Sequence, residues 1–401
     1  MLIHGATDND IHPPRFGAAQ RAFGMYRGLA ERHEVRVLCV VPNRNRAPRE
    51  ENAAGVHLLR RKAWYTAAAW RLERARLAPL FLAAHGHRAR ARRLLAALPG
   101  AADVRIADLA LAGLLEVAPA PLTVLHAHNV EADHFRDAGP ALAARGFWAA
   151  RLGALEARAV RRADLVVAAG EEDAERFVAL YGIGAGRVRV MPNGYDETDI
   201  AAPTGAERAR ARAALGVDED DYLCLFVGSD VPHNRAALAA LCDRVLPALG
   251  CERFRLVVVG DVSRALAGRR EPWLIARPAT PEILPLLHAA DAGLNPALAG
   301  GGSNVKLPTY LGAGLAVVTT PHGLRGYAPL APWVVSAGIE RMAEALRERP
   351  RGWAARGPVT PPAIAAYGWG RLGAALGEAL GERLAASRAP GAPAEARRAR
   401  A

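Results

Sequence analysis

Short apolar runs alternate with longer amphipathic stretches along most of the chain. The run Val35 to Val41 is apolar and rich in β-branched residues, and follows a helix-like stretch from Gln20 to Arg32. Leu122 to His126 and Asp164 to Ala169 repeat the strand pattern. The second half resumes it at Tyr222 to Gly228, then a helical run from Arg235, then Arg255 to Asp261. Gly293 to Asn295 and Ala316 to Thr319 are two further short runs. Apolar strands set between amphipathic helices predict parallel sheets covered on both faces. Two such series predict an α/β chain of two Rossmann-like, doubly wound domains, whose ligands bind beyond the carboxyl ends of the strands.

A turn-rich segment, Met191-Pro-Asn-Gly-Tyr-Asp196, marks the join. After it, Pro203 to Leu215 is charged and helical. A last helix is expected over roughly Tyr367 to Ala386. The expected organisation is thus an amino-terminal domain over 1–195, a second over 196–365, a closing helix over 366–386, and a tail over 387–401. The tail is rich in Ala, Pro and Arg and is expected to be basic and disordered.

The 401 residues suffice for two domains of ordinary size, and a hydrophobic content of 51% supplies buried sheets. Cys39, Cys224, Cys242 and Cys251 are scattered, which argues against a zinc site or a disulfide framework and fits a reducing cytoplasm. The opening Met-Leu-Ile-His-Gly turns polar too soon for a signal peptide, and no apolar run is long enough to span a membrane. A net charge of +12 points to a polyanionic partner such as nucleotide, anionic lipid or nucleic acid.

Residues 300 to 320 sharpen that charge. They read as a glycine loop, a short helix, a glycine turn and a buried strand. Lys306 lies in the first turns of the helix, and of 52 lysines and arginines only it and Lys62 are lysine. A compact ammonium is not interchangeable with a guanidinium at a phosphate. Gly300, Gly301 and Gly302 allow close backbone approach, and Ser303 and Asn304 suit a helix N-cap. The alternative is a solvent-facing lysine left by codon bias.

Several pieces, in order, resemble the GT-B fold glycosyltransferases of the GT4-like group. They are Pro13 to Arg21 with Leu29 to Val35, the His128-Asn-Val-Glu131 element, Val190 to Asp196, Phe226 to Ser229 with His233 and Asn234, Gly300 to Thr320, and Tyr367-Gly-Trp369. The resemblance covers about residues 10 to 385. It implies a cleft between two domains, a nucleotide-sugar donor mainly on the second, a hydroxyl acceptor on the first, retention of configuration, and no essential metal or cofactor.

The resemblance assigns Lys306 and His128 to catalysis, the first steadying the leaving diphosphate. It assigns Gly17, Gly228, Ser229, Gly300, Gly301, Gly302, Ser303, Asn304 and Thr309 to the donor. Asn129, Glu131 and Asn193 are candidates for the acceptor or the cleft. Each has a plainer reading: Gly17 a turn glycine, His128 a histidine satisfied by local backbone, Asn193 a shaper of the turn before Gly194. Many family members carry glutamates where this chain has Thr309 and Gly301, and a threonine offers the ribose weaker bonds than a carboxylate. Asp108 occupies a place where some members have a histidine, and Arg235 is the cation nearest the Gly228 loop. Because the leaving phosphate can take the acceptor proton, no dedicated base is assigned.

Arg60, Arg61, Lys62, Trp64, Tyr65, Trp70, Arg71, Arg74 and Arg76, with arginines from Arg88 to Arg93, form a basic aromatic stretch in the acceptor-side domain. It fits peripheral contact with the anionic inner face of a membrane, or a solvated helical face whose aromatics enter the core. No nucleic-acid recognition motif is present, and nucleic acid is not expected as a partner. The expected function is sugar transfer from a nucleotide-sugar to a surface polysaccharide, a lipid-linked glycan or a natural product. A weakly active or inactive glycosyltransferase-like binding protein and a sugar-nucleotide epimerase are the alternatives.

Overall fold

The structure is a computed structural model describing residues 1–42, 48–118, 120–250, 253–280, 282–348 and 360–388. The chain divides into two compact units. The first comprises Met1–Pro14, Ala18–Pro192 and the segment from Gly370; the second comprises Arg15–Gly17 and Asn193–Trp369. The chain therefore leaves the first unit inside the predicted Met191 to Asp196 join. Of the expected tail, only Ser387 and Arg388 are described, and they finish the helix Trp369–Arg388.

The first unit holds β1 (Leu2–Thr7), β2 (Glu34–Val41), β3 (Glu50–Ala53), β4 (Val56–Lys62), β5 (Val104–Asp108), β6 (Leu122–His126), β7 (Leu165–Ala168) and β8 (Val188–Val190). They form one sheet in the order β3-β4-β2-β1-β5-β6-β7-β8, parallel except for the β3–β4 edge pair. Val37, Leu38, Cys39 and Val40 of β2 are all fully buried, so both faces of the strand are covered. The strand β1 interrupts its apolar run with His4 and Gly5, yet it is central. Gly5 is required there, because a Cβ would lie 2.5 Å from the ring of buried Tyr26.

The second unit holds β9 (Tyr222–Val227), β10 (Phe254–Val259), β11 (Leu274–Arg277), β12 (Ala292–Asn295), β13 (Ala316–Thr319) and β14 (Val335–Ser336). Their order is β11-β10-β9-β12-β13-β14, all parallel. The helix expected over Pro203 to Leu215 begins at Gly205, where Thr204 and Glu207 form a capping box. It is pinned to the sheet by buried Asp291, which accepts from Arg208 Nη2 at 2.6 Å, Arg212 Nη1 at 3.2 Å and Leu223 N at 2.7 Å.

The helix Trp369–Arg388 packs on the first unit. A Cβ on Gly373 would meet the Gly28 backbone at 2.3 Å, so only glycine lets the helices touch there. The basic stretch divides differently from expectation. Arg60 is not presented to a surface: it is buried, and its guanidinium binds Asp10 and Glu51, each at 2.8 Å. Desolvation alone would make so buried a charge costly, and the two carboxylates offset it. No helix among the described residues is long and apolar enough to cross a membrane.

Removing one partner of a buried ion network strands the others, at about 3–5 kcal/mol. Asp291→Ala is expected to lower the stability of the second unit by that amount in chemical denaturation followed by circular dichroism. An Arg212→Met, Asp291→Leu double variant is expected to recover part of the loss.

Candidate functional site

The carboxyl ends of β5 and β6 in the first unit bring three side chains together. Asp108 and His126 are the last residues of their strands and are partners in the parallel register. His126 Nδ1 lies 2.8 Å from Asp108 Oδ1, and His128 Nε2 lies 3.2 Å from Asp108 Oδ2. The two imidazole rings meet edge to face with centroids 4.6 Å apart. Burial would push the Asp108 carboxyl up, but the adjacent His128 and His126 outweigh it and hold the carboxyl far below the usual range. Burial pushes His126 down to about 4, so its ring is neutral and its Nδ1–H donates to the carboxylate. Asp8, just past β1, is pushed up to about 6 by burial and by the charge of Asp108.

His128, partly exposed, occupies the bend after β6. Asn129 Nδ2 donates to Glu131 Oε1 at 2.9 Å, so these two candidates are tied to one another. Glu131 opens the helix Glu131–Ala138. Among the described residues, Asp108, His126 and His128 are the one set placing a nitrogen or carboxylate oxygen each within 4.8 Å of the others. His126 hydrogen-bonds Asp108 at 2.8 Å, and His128 lies at ion-pair distance from it at 3.2 Å.

In the second unit the candidates gather beyond β9 and β12. The loop Gly300 to Asn304 is fastened from behind at three points. His322 Nε2 lies 3.1 Å from the Gly300 carbonyl, which only accepts, so the proton is on Nε2. Asn193 donates from N to Ser303 Oγ at 3.2 Å and from Nδ2 to Ser303 O at 2.5 Å. Tyr327 OH lies 2.9 Å from Asn304 O. Gly300 (φ 124°) and Gly302 (φ 64°) are in backbone conformations that favour glycine; Gly301 lies between them, part-buried.

The geometry departs from one expectation here and adds internal bonds to two other candidates. Ser303 and Asn304 are not the helix N-cap: the helix is Lys306–Gly312 with Val305 at the cap, and no side chain caps it. The Ser303 hydroxyl is taken by Asn193. Asn193 is itself buried behind the donor loop as a strut, so its side chain is spent on structure. Thr309 donates its hydroxyl proton to Val305 O at 3.0 Å, leaving only lone pairs for a ligand.

Lys306 is the first helical residue. Its Nζ sits 4.7 Å from the centroid of the Phe226 ring and 3.5 Å from Asn234 Oδ1. Among the described residues no carboxylate pairs with it. Burial pushes the ammonium down to about 8. Asn234 Nδ2 in turn donates to Ser229 O at 3.0 Å and packs on Gly228, where a Cβ would lie 3.2 Å from the Asn234 amide. Gly228, Ser229, Asn234 and Lys306 thus form one cluster. Arg235 does not join it, because Asp230 grips its guanidinium at 2.5 and 2.7 Å. Gly17, the first residue of the helix Gly17–Ala30, has no left-handed conformation that would demand glycine.

Residues 17–199 match the model of Glycosyltransferase Family 4. Over these residues the chain is similar to that family, and its fold is GT-B. A D-inositol 3-phosphate glycosyltransferase of Thermobifida fusca is 33% identical over 121 residues, 29% of this chain and 26% of that protein. One from Acidothermus cellulolyticus is 38% identical over 111 residues, covering 27% and 24%. The matches span about a quarter of the length of these curated relatives. Sucrose-phosphate synthase from Thermosynechococcus elongatus matches in structure with a TM-score of 0.69 at 13% identity, over 96% of this chain and 99% of that one. Anabaena HepE, solved in complex with UDP and glucose, matches with a TM-score of 0.64 at 15% identity, over 95% and 100%. At such identities the likeness is one of fold.

The first unit contains polar groups near the site that sequence reading left out. His126 reads as an ordinary strand residue, and Asp8 as part of a polar turn. The signal for both is position, since each stands at the carboxyl end of a strand. In the second unit Asn234 appears in a family motif with no role, yet it joins Lys306 to Ser229.

The triad yields a pH-dependent prediction. His126 titrates at about 4 in the folded chain against an ordinary value of 6.5, so its neutral form favours folding. That stability is present above pH 6.5 and is lost as pH falls toward 4. Asp108→Ala leaves a buried N–H unpaired and is expected to cost about 1–3 kcal/mol at neutral pH. Asp108→Asn, which keeps an acceptor for His126, is expected to cost less, with thermal melting across this pH window as the measurement.

Proposed function

We propose that this protein transfers a sugar from a nucleotide-sugar to a hydroxyl acceptor, with retention of configuration and without a metal. The observation that carries the reading is Lys306: a desolvated ammonium over an aromatic ring, beside a glycine loop, with no carboxylate partner among the described residues. Such a group is completed by an anion. The family 4 match, the curated glycosyltransferase relatives and the UDP complex of HepE make a nucleoside diphosphate the anion of choice.

Lys306 and the backbone of Gly300 to Gly302 then stabilise charge on the diphosphate as the bond to the sugar breaks and the ring gains oxocarbenium character. Gly228 and Ser229 give the phosphates close backbone approach. Thr309 accepts one hydrogen bond from a ribose hydroxyl. On the first unit, His128 binds the acceptor or the transferred sugar, oriented by Asp108, with Asn129 and Glu131 beside it. The acceptor proton passes to the leaving phosphate, so no separate base is required. D-inositol 3-phosphate, named for the curated relatives, is the first acceptor to assay.

The basic stretch supports a second feature, peripheral contact with an anionic membrane on the cytoplasmic side. Trp64 and Trp70 are 57% and 48% exposed rather than in the core. Arg90 lies over Trp64 and Arg74 over Trp70 at 5.8 and 4.9 Å. Cations beside exposed indoles suit the headgroup layer.

Lys306→Ala is expected to lower turnover by about two orders of magnitude, read as nucleoside diphosphate release with UDP-glucose and other sugar nucleotides. Near wild-type release would remove Lys306 from the leaving-group role. Donor binding without release in the wild type would favour the binding-protein reading, and an epimerised donor the epimerase reading. A Trp64→Ala, Trp70→Ala variant is expected to bind vesicles of phosphatidylglycerol and phosphatidylcholine about tenfold more weakly or less. Equal co-sedimentation of wild type and variant would argue against the membrane contact.

A further inference from the structure

Glu156 lies on the helix Arg145–Arg162, well outside the residues assigned to sugar transfer. Its side chain is buried, yet it forms no ion pair among the described residues and instead collects three hydrogen bonds. Oε1 accepts from the backbone N–H of Glu131 at 2.7 Å, and Oε2 accepts from that of Ala132 at 2.9 Å and from Tyr181 OH at 2.5 Å. Burial pushes the carboxyl up to about 7 against the opposing pull of these donors.

The two amides are the first of the helix Glu131–Ala138, which begins right after the His128 bend. Val130 is the N-cap and supplies no side-chain bond. A helix start leaves its first N–H groups without internal partners. Here the partner is supplied from another helix instead of from the cap residue. The last sheet bond before the bend is Ala127 N to Val167 O at 3.0 Å, and the helical ladder starts at His134 N to Val130 O at 2.9 Å. Between those anchors, Asp108 meets the His128 side chain and Arg176 the Asp133 side chain, and Glu156 is the group that binds the backbone. Asn129 is tied to Glu131, so what fixes Glu131 also fixes Asn129.

We propose that Glu156 is a positioning residue for the acceptor-side groups, holding Asn129 and Glu131 by a bidentate grip on the Glu131 and Ala132 amides. The inference rests on the sugar-transfer reading for its kinetic consequence, though not for its structural one. It separates two tasks within the first unit. The sheet places Asp108, His126 and His128 through strand register, whereas Glu156 places the residues that follow them.

The test compares Glu156→Gln with Tyr181→Phe. Glutamine keeps the shape but turns an NH2 toward one of the two amides, whereas Tyr181→Phe removes only the third donor. In Glu156→Gln, hydrogen exchange over residues 129–134 is expected to quicken about tenfold or more, with β6 unchanged. Tyr181→Phe is expected to leave that segment protected. With UDP-glucose as donor and D-inositol 3-phosphate as acceptor, the acceptor KM of Glu156→Gln is expected to rise about tenfold while the donor KM changes less than about twofold. Unchanged exchange over 129–134 overturns the proposal, as does a donor KM that rises with that of the acceptor. A wild type inactive on this pair counts against the transfer reading there, and the exchange result then decides the proposal alone.

Discussion

A half-buried ammonium with no carboxylate partner among the described residues is the constraint on which the proposed site of the second unit depends. A charge removed from water is tolerated when it is paired, and the arginines here show the rule. Arg60 has Asp10 and Glu51, and Arg212 has Asp291. Lys306 has an aromatic face and an amide oxygen at 3.5 Å. The fold therefore tolerates a cation without a carboxylate partner among the described residues, and on the proposed reading an arriving anion completes it. The glycines at 300 and 302, the His322 and Asn193 struts, and the Asn234 link to Ser229 all serve to hold a backbone cradle around that charge.

The first unit solves the opposite problem. Its buried carboxylates are engaged inside the protein, with Asp108 set between two histidines and Glu156 shared among two amides and a phenol. The resulting site is a fixed array of oriented groups rather than an exposed charge, which suits recognition of neutral hydroxyls. On the proposed reading the two units divide the chemistry by sign: one stabilises a leaving anion, the other orients a polar, uncharged nucleophile.

Much of the architecture is legible in the sequence because the strands are buried on both faces. Leu122 to His126 and Ala316 to Thr319 were readable to the residue, and Val35 to Val41 to within one. Strands that carry polar residues were not. β1 contains His4 and Gly5, and β4 ends in Arg60, Arg61 and Lys62, which reads as a surface until Arg60 is seen with its carboxylates. The glycine loop declared itself, because glycines needed for backbone conformation leave a local mark. The triad did not, since Asp108 and His126 meet only through strand register. Hydroxyls and amides are the least legible. Ser303, Thr309 and Asn193 have ligand-binding chemistry and also hydrogen-bond within the protein, and only geometry reveals those internal bonds.

The state of the Lys306 ammonium tests the account most directly. The chain has only Lys62 as its other lysine, so side-chain-labelled protein gives two lysine signals in a nuclear magnetic resonance titration. The account predicts that Lys306 titrates near pH 8 in the free protein and shifts upward when UDP is added, because a bound anion favours the charged form. A Lys306 that titrates at its ordinary value of 10.5, with or without UDP, would contradict it.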